Sequence, residues 1–284
     1  MFANLGIKNY GSRTIAMVRN NKEELNRNFS EILSIHIIFS IIVIFVYLVL
    51  LFFFVEDNLV IFLIQSIYVF AAVFDINWFF FGIEKFKLTV GRNTLVKILS
   101  VFLVLVFVKT QTDLWIYALI LALSVFVGQS VVWFALKQYV SWRRPSWANM
   151  KQHIRPLFVL FLPILALSLY KYMDKIMLGS ISSNVQVGFY ENAEKIINVP
   201  MSLIMAFGVV LMPRIANMVT SKDKGEVFKL IDMSMEAVML LAIAISFGLA
   251  GISFVLAPIF FGYEFEECGI LIMGLAVTVP FMAF

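Results

Sequence analysis

Residues 59–86 read LVIFLIQSIYVFAAVFDINWFFFGIEKF. No charged side chain occurs between Leu59 and Phe74, and then Asp75 and Asn77 stand among aromatic residues. As a helix rising about 1.5 Å per residue, the run 59–83 is long enough to cross a hydrocarbon core of about 30 Å. A membrane strand is a poor fit, because the apolar residues are continuous and do not alternate.

The rest of the chain has the same character. Hydrophobic residues make up 62% of it, the mean hydropathy is +0.94, and 30 of the 284 residues are Phe. Charged residues are 14%, where a soluble domain carries about 25%. The class is an integral membrane protein. Its one cysteine, Cys268, excludes an internal disulfide. Eight apolar spans are expected, at 31–55, 59–83, 90–108, 114–136, 157–180, 187–212, 230–261 and 268–284. The span 230–261 is too long for one perpendicular crossing. It is expected to begin as a surface turn and to end near Pro258.

The loops between these spans alternate in charge. Basic residues gather in 12–29, 84–97, 137–155 and 214–229. The opposite loops, 56–58, 109–113, 181–186 and 262–267, hold Glu56, Asp57, Asp113, Glu264, Glu266 and Glu267, with Lys109 as their single basic residue. The positive-inside rule assigns the basic set to the cytoplasm. On that topology residues 1–12 are the inner end of a helix that began outside, and the span 268–284 stops without a flanking loop. The chain is therefore expected to be a fragment of a membrane domain, cut at both ends.

The short loops leave no room for an extramembrane catalytic or nucleotide-binding domain. No Gly-rich phosphate loop is present, and nucleic acid is not an expected partner because the positives do not form one patch. No cofactor or metal is expected: His36 lies in an apolar run and His153 in a basic loop, neither with a partner at ligand spacing. SWRRPSW, 141–147, reads as an interfacial anchor, with a lipid-specific role as the alternative.

Polar groups at membrane depth carry the remaining information, since charge there faces protein or water. At about 100° per residue, Tyr68, Ala71, Ala72, Asp75 and Gly82 share one side of a helix, three of them small. Asp75 is thus expected to point into a bundle near the cytoplasmic end, as a packing group or as a participant in transport. A denser signal lies at 167–202. Ser168, Lys171, Asp174 and Lys175 fall on one helical face, and Glu191, Glu194, Lys195, Asn198 and Ser202 on one face of the next helix. A hairpin turning near Ser183 sets Lys175 level with Glu191, and Lys171 level with Lys195. One reading is a neutralised network that holds the hairpin together, in which Asp174 and Lys175 are packing groups. The other is a water-filled cavity where Lys171 and Lys195 attract an anion. Pro163, Pro200, Pro213 and Pro258 allow kinks in either case.

FANLGIKNYGSRTIAMVRNNKEELNRNFSEI (2–32), FDINWFFFGIEKFKLTVGRNTLVKI (74–98), YKYMDKIMLGSISSNVQVGFYENAEKIINVP (170–200) and LMPRIA (211–216) resemble the Wzx-type polysaccharide flippases of the multidrug/oligosaccharidyl-lipid/polysaccharide superfamily. The resemblance covers nearly the whole chain, from the family's second helix to about its tenth. It implies an all-α polytopic transmembrane helix bundle of two pseudo-symmetric lobes, truncated here: an N-terminal lobe at 1–137, a cytoplasmic inter-lobe loop at 138–155, and the start of a C-terminal lobe at 156–284. YGSRTIAMV (10–18) and MPRIANMV (212–219) form a faint internal echo of that symmetry. The implied activity is transport and not enzymatic. An oligosaccharide linked by pyrophosphate to a polyprenyl lipid is flipped across the bacterial inner membrane by alternating access, for lipopolysaccharide O-antigen and similar surface polysaccharides. Membrane lipids, a polysaccharide polymerase and chain-length machinery are the implied partners. Lys171 and Lys195 would then bind the pyrophosphate, and Glu191, Glu194 and Asn198 would line the cavity, the two carboxylates as candidates for proton coupling. A multidrug/cation antiporter of the same fold is the alternative, and would favour an acidic or aromatic cavity over paired lysines. An integral-membrane polymerase or glycosyltransferase would need a large outer loop, and a static scaffold would not need charge stripes.

Overall fold

The computed structural model describes residues 2–4, 6–54, 58–220 and 224–283, and the side chains of all of these except 2, 54, 208–220 and 224–226. Glu56, Asp57 and Lys222 thus lie outside the described residues, as do the side chains of Lys224 and of the whole segment 212–219, Arg214 included. Among the described residues every regular element is helical. The α-helices are α1 (Ile7–Val18), α2 (Lys22–Phe54), α3 (Leu59–Val73), α4 (Asn77–Gly82), α5 (Phe86–Phe107), α6 (Leu114–Leu136), α7 (Trp147–Ile181), α8 (Asn184–Thr220), α9 (Lys224–Phe261), α10 (Cys268–Ala276) and α11 (Val279–Ala283). Six described stretches are long and apolar enough to cross a membrane: Lys22–Phe53, Leu59–Gly82, Phe86–Phe107, Gln111–Leu136, Trp147–Ile181 and Val227–Phe261. Large apolar side chains stand exposed along them, among them Phe45, Phe52, Leu95, Phe102 and Leu105. Such a surface suits hydrocarbon and not water. The molecule is a polytopic helix bundle.

Three expected spans come out differently. The run 59–83 is not one helix: it breaks at Phe74–Ile76, and α4 is a separate short element. The run 268–284 is divided at Val277–Thr278 into α10 and α11. The run 230–261 lies within a longer helix: α9 is continuous from Lys224, passes Pro258 and stops at Gly262, whose φ of 93° suits a residue without a Cβ. The expected span 187–212 lies within α8.

Contacts divide the chain into two units, Met1–Ser168 and Leu169–Phe284. The division falls inside α7, beyond the basic segment 138–155 that the sequence offers as the lobe boundary. Unit 1 is built around α4. Trp78, Phe79 and Phe80 are all fully buried, as expected of a short helix enclosed by others. Phe29 of α2 stacks on Trp78 with ring centroids 5.6 Å apart and meets Phe79 edge-on at 4.9 Å. Ile7, Ile15, Ile32, Leu33 and Leu157 complete the core. Helix α1 crosses α4 where side chains are missing. A Cβ on Gly11 would lie 2.6 Å from the Trp78 ring, and one on Gly82 would lie 2.6 Å from Ile15 Cβ and 2.8 Å from the Ser12 carbonyl. Helix α3 lies against α6, with Ser66, Ala71, Ala118 and Ala122 buried.

Unit 2 packs α8, α9, α10 and α11 around a second core. Ala193, Ile197, Met201 and Ile204 form the inward stripe of α8, and Cys268, Ile272 and Ala276 that of α10. Gly269 lets α10 approach α9, since a Cβ there would be 3.0 Å from Phe254 Cα. Ser246 donates to the Ala276 carbonyl at 2.7 Å, which fixes the end of α10.

The close crossing in unit 1 makes a definite prediction. Gly82→Ala forces its Cβ against atoms that cannot rotate away, at a cost of about 1–3 kcal/mol. The unfolding temperature of the detergent-purified chain should fall by several degrees. Gly91→Ala, where nothing lies within 4 Å, should leave it unchanged or slightly raised.

Candidate functional site

The polar stripes of unit 2 come from a helical hairpin. Helix α7 ends at Ile181 and α8 begins at Asn184. Ser183 makes the turn: its Oγ accepts the Gln186 N–H at 3.3 Å and its carbonyl accepts that of Val187 at 3.2 Å. Gln186 donates to Glu267 at 3.0 Å and ties the turn to the segment before α10. Eight residues on either side of Ser183 stand Lys175 and Glu191, and these two are in direct contact. Lys175 Nζ also lies 2.7 Å from Glu194 Oε2 and sits over the Tyr172 ring, 5.9 Å from its centroid. The Lys175 side chain is only 14% exposed, so one ammonium is held between two carboxylates.

The other charged groups of the stripe are less engaged. Lys195 Nζ lies 3.5 Å from Asn192 Oδ1, and Lys171 is exposed. Among the described residues neither lysine has a carboxylate within ion-pair distance, although both are near enough to act on Glu191 through space. Asp174 is exposed and accepts a hydrogen bond from the Tyr190 hydroxyl at 3.3 Å. Asn198 is exposed on the same helix as Lys195. Ser168 and Ser202 turn back to their own helices, on the Ile164 carbonyl at 2.8 Å and the Val199 carbonyl at 2.6 Å. Glu194, read from the sequence as a cavity group, pairs with Lys175, because it follows Glu191 by three residues and shares its face. Asp174, read as a packing group, is exposed, and its partner is Tyr190 on the other helix of the hairpin.

Unit 1 holds two polar networks of another kind. Asp75 is 5% exposed and occupies the break between α3 and α4. Its Oδ1 accepts the Asn77 N–H at 3.2 Å and the Asn77 side-chain amide at 2.7 Å, while Oδ2 lies 3.8 Å from Lys8 Nζ of α1. Asn77 also donates to Gln129 of α6 at 3.0 Å, and Arg92 of α5 donates to Asn77 Oδ1 at 3.1 Å and to the Gly128 carbonyl at 2.8 Å. Asp75 therefore leads a network that joins α1, α4, α5 and α6. The second network is centred on Glu31, 1% exposed. It accepts from Asn149 at 3.0 Å and lies 3.0 Å from His153 Nε2, and His153 Nδ1 lies 2.6 Å from the Tyr10 hydroxyl. With the ring proton on Nε2, the imidazole donates to Glu31 and accepts from Tyr10, and every group is satisfied. Asn26 and Ser30 of α2 hold the segment before α7, accepting the N–H groups of Ser141 at 3.0 Å and Arg143 at 2.9 Å.

Sequence reasoning did not find Arg92, Gln129, Glu31 or the place of His153. His153 was assigned to a basic loop, but the helix α7 begins before it and buries it. The available signal was Glu31, a carboxylate at the start of an apolar run. Its partners lie about 120 residues away and no local pattern marks them.

Residues 1–219 match the family model described as polysaccharide biosynthesis protein. Two proteins, each described as "Putative O-antigen transporter", are similar. One, from Shigella dysenteriae, is 25% identical over 282 residues, covering 93% of this chain and 67% of that protein. The other, from Escherichia coli strain K12, is 27% identical over 209 residues, covering 72% of this chain and 49% of that protein. The chain thus spans between half and two thirds of the length of these relatives. No solved structure gives a significant match.

The Lys175 cluster yields a prediction that separates pairing from binding. Lys175→Met strands two neighbouring carboxylates and should lower membrane abundance several-fold. Adding Glu191→Gln and Glu194→Gln should restore most of it, because the damage comes from the stranded charges. Quantifying tagged protein in membranes checks both steps; equal abundance of all variants would show that the cluster does not support the fold.

Proposed function

We infer what this chain does from one premise: it belongs to the polysaccharide biosynthesis protein family. It is a multi-pass protein of the bacterial inner membrane. Its role is that of a transporter that turns an oligosaccharide, linked by pyrophosphate to a polyprenyl lipid, from the cytoplasmic to the outer leaflet by alternating access. The description of its relatives as O-antigen transporters supports a saccharide cargo. A polymerase and chain-length machinery would then take up the product outside.

The observation that carries this reading is the charged face of the α7–α8 hairpin. Lys171 and Lys195 project from apolar helices without carboxylate partners among the described residues. Lipid is not a tolerable neighbour for such a face, and water or a polar cargo is. A cargo with a sugar head needs hydrogen-bonding groups, which Asn198, Tyr190 and Asp174 supply. Its pyrophosphate needs cations, which the two lysines supply. Its tail remains in the bilayer. An exporter of organic cations would repel its cargo with the same pair.

Two measurements test this reading. In cells that depend on this protein for surface polysaccharide, the Lys171→Ala, Lys195→Ala double variant should cut export by about tenfold or more, a transition-state or binding loss of about 1.4 kcal/mol or above, while membrane abundance stays within twofold. Normal export by the double variant overturns the anion-binding role. For direction, single cysteines at Asn21 and Ser146, in a Cys268→Ser background, should resist an impermeant thiol reagent applied outside, while one at Ser183 should react. The reverse pattern overturns the orientation and the direction of transport.

A further inference from the structure

The basic end of unit 1 contains a hollow that the transport reading does not use. Its volume is ≈ 340 Å³, and Arg19, Lys22, Lys85, Gln138 and Tyr139 line it over a floor of Leu25 and Ile83. Three turns between helices meet there: the one joining α1 to α2, the one joining α4 to α5, and the end of α6. The second of these is tightly built. Glu84 takes a left-handed conformation with φ 58°, and the Lys85 N–H bonds back to the Phe80 carbonyl at 2.9 Å, which fixes where Lys85 starts.

The charges of this hollow are unequal. Arg19 is answered by Glu84 at 2.5 Å, and Arg143 nearby by Glu23 at 3.2 Å. Lys22 and Lys85 have no carboxylate within ion-pair distance among the described residues. The side chains of Gln138 and Tyr139 have no hydrogen-bond partner there either. Two free ammonium groups beside an uncommitted amide and a phenol fit a phosphate that carries a hydroxylated substituent.

A second hollow of ≈ 410 Å³, lined by neighbouring residues of α2 and of the end of α6, is almost wholly apolar. Helix α2 lends Leu25 to the first, and Phe29 and Leu33, one and two turns further on, to the second. Trp133, Phe134 and Trp142 form its other wall, with Lys137 at the rim. Phe134 is 79% exposed and Trp142 54%, so the hollow opens sideways, where the bilayer lies. Trp142 and the arginines after it belong to SWRRPSW, and tryptophan in such a place marks the membrane interface.

We propose that these two hollows form one binding site for an anionic glycerophospholipid of the bilayer, with its phosphate and glycerol head on Lys22, Lys85, Gln138 and Tyr139 and its acyl chains along Phe29, Leu33 and Trp133. The charge complement selects the phosphate, the free hydrogen-bonding groups select a hydroxylated head, and the lateral opening selects a lipid that arrives from the membrane. Basic pockets between membrane helices bind anionic heads for the same reasons.

Delipidated full chain in detergent, titrated with lipid and followed by native mass spectrometry, tests the site. Phosphatidylglycerol should bind about tenfold or more tighter than phosphatidylcholine with the same acyl chains, as expected for two lysines at a membrane surface. The Lys22→Gln, Lys85→Gln variant should bind the two lipids equally, and Trp142→Ala should weaken both. Lys97→Gln with Lys109→Gln, exposed lysines outside the hollow, should keep the preference. Equal binding of the two lipids by the unaltered chain overturns the proposal, as does a preference that survives loss of Lys22 and Lys85. If inorganic pyrophosphate displaces phosphatidylglycerol at equal concentration, the site takes a free anion. If a polyprenyl phosphate displaces it, the site belongs to the cargo. Either result overturns the assignment to a bilayer lipid.

Discussion

A backbone carbonyl set free inside hydrocarbon costs several kcal/mol unless something donates to it, and the break at Phe74–Ile76 sets such groups free inside a membrane helix. The protein answers several of them. The Trp133 indole donates to the Phe74 carbonyl at 2.9 Å, and the N–H groups of Phe74 and Asp75 turn back to Ala71 and Ala72. Asp75 takes up the first N–H of α4, in the way that an Asx side chain competes with the helix ladder. The break in turn allows α4 to leave the line of α3 and bury Trp78, Phe79 and Phe80 as the centre of unit 1. The carboxylate that seems misplaced in an apolar run is the group that makes the run change direction.

This is also where reading the sequence reached its limit. Lengths and hydropathy located the spans, because crossing a bilayer demands them whatever the neighbours are. The hairpin at Ser183 was legible for a similar reason: in two helices joined by a tight turn, equal distance from the turn means equal depth, and Lys175 meets Glu191 as that rule requires. The helical wheel that grouped Asp75 with Gly82 assumed an unbroken helix. Both residues are buried, but on separate elements and against different partners, Asp75 beside Asn77 and Gly82 beside Ile15. Nothing in a helical period announces that a side chain will outbid the backbone. The bonds from Glu31 to Asn149 and His153, and from Arg92 to Gly128, were beyond reach because they depend on how distant helices assemble.

The two units use polar groups in opposite ways. In unit 1 several buried polar side chains are bonded to one another: Asp75 to Asn77, Asn77 to Gln129 and Arg92, Glu31 to His153 and Asn149. Such networks fix register between helices, since each member has one arrangement in which all are satisfied. In unit 2 the core beneath the hairpin is apolar, made of Ala193, Ile197, Met201 and their neighbours on α9 and α10. The charges of the hairpin are not part of that apolar core.

The charges of the hairpin sum to zero, with Lys171, Lys175 and Lys195 against Asp174, Glu191 and Glu194, and from the sequence that balance left a closed structural network and an anion-attracting cavity both open. In the structure the pairing is not one to one. Lys175 alone engages both glutamates, and Asp174 is turned to a tyrosine. Lys171 and Lys195 are left with no carboxylate at ion-pair distance among the described residues. On the proposed transport reading, this neutral set of six charges leaves two lysines for a pyrophosphate bearing a sugar, and the protein need not bury a net charge of its own.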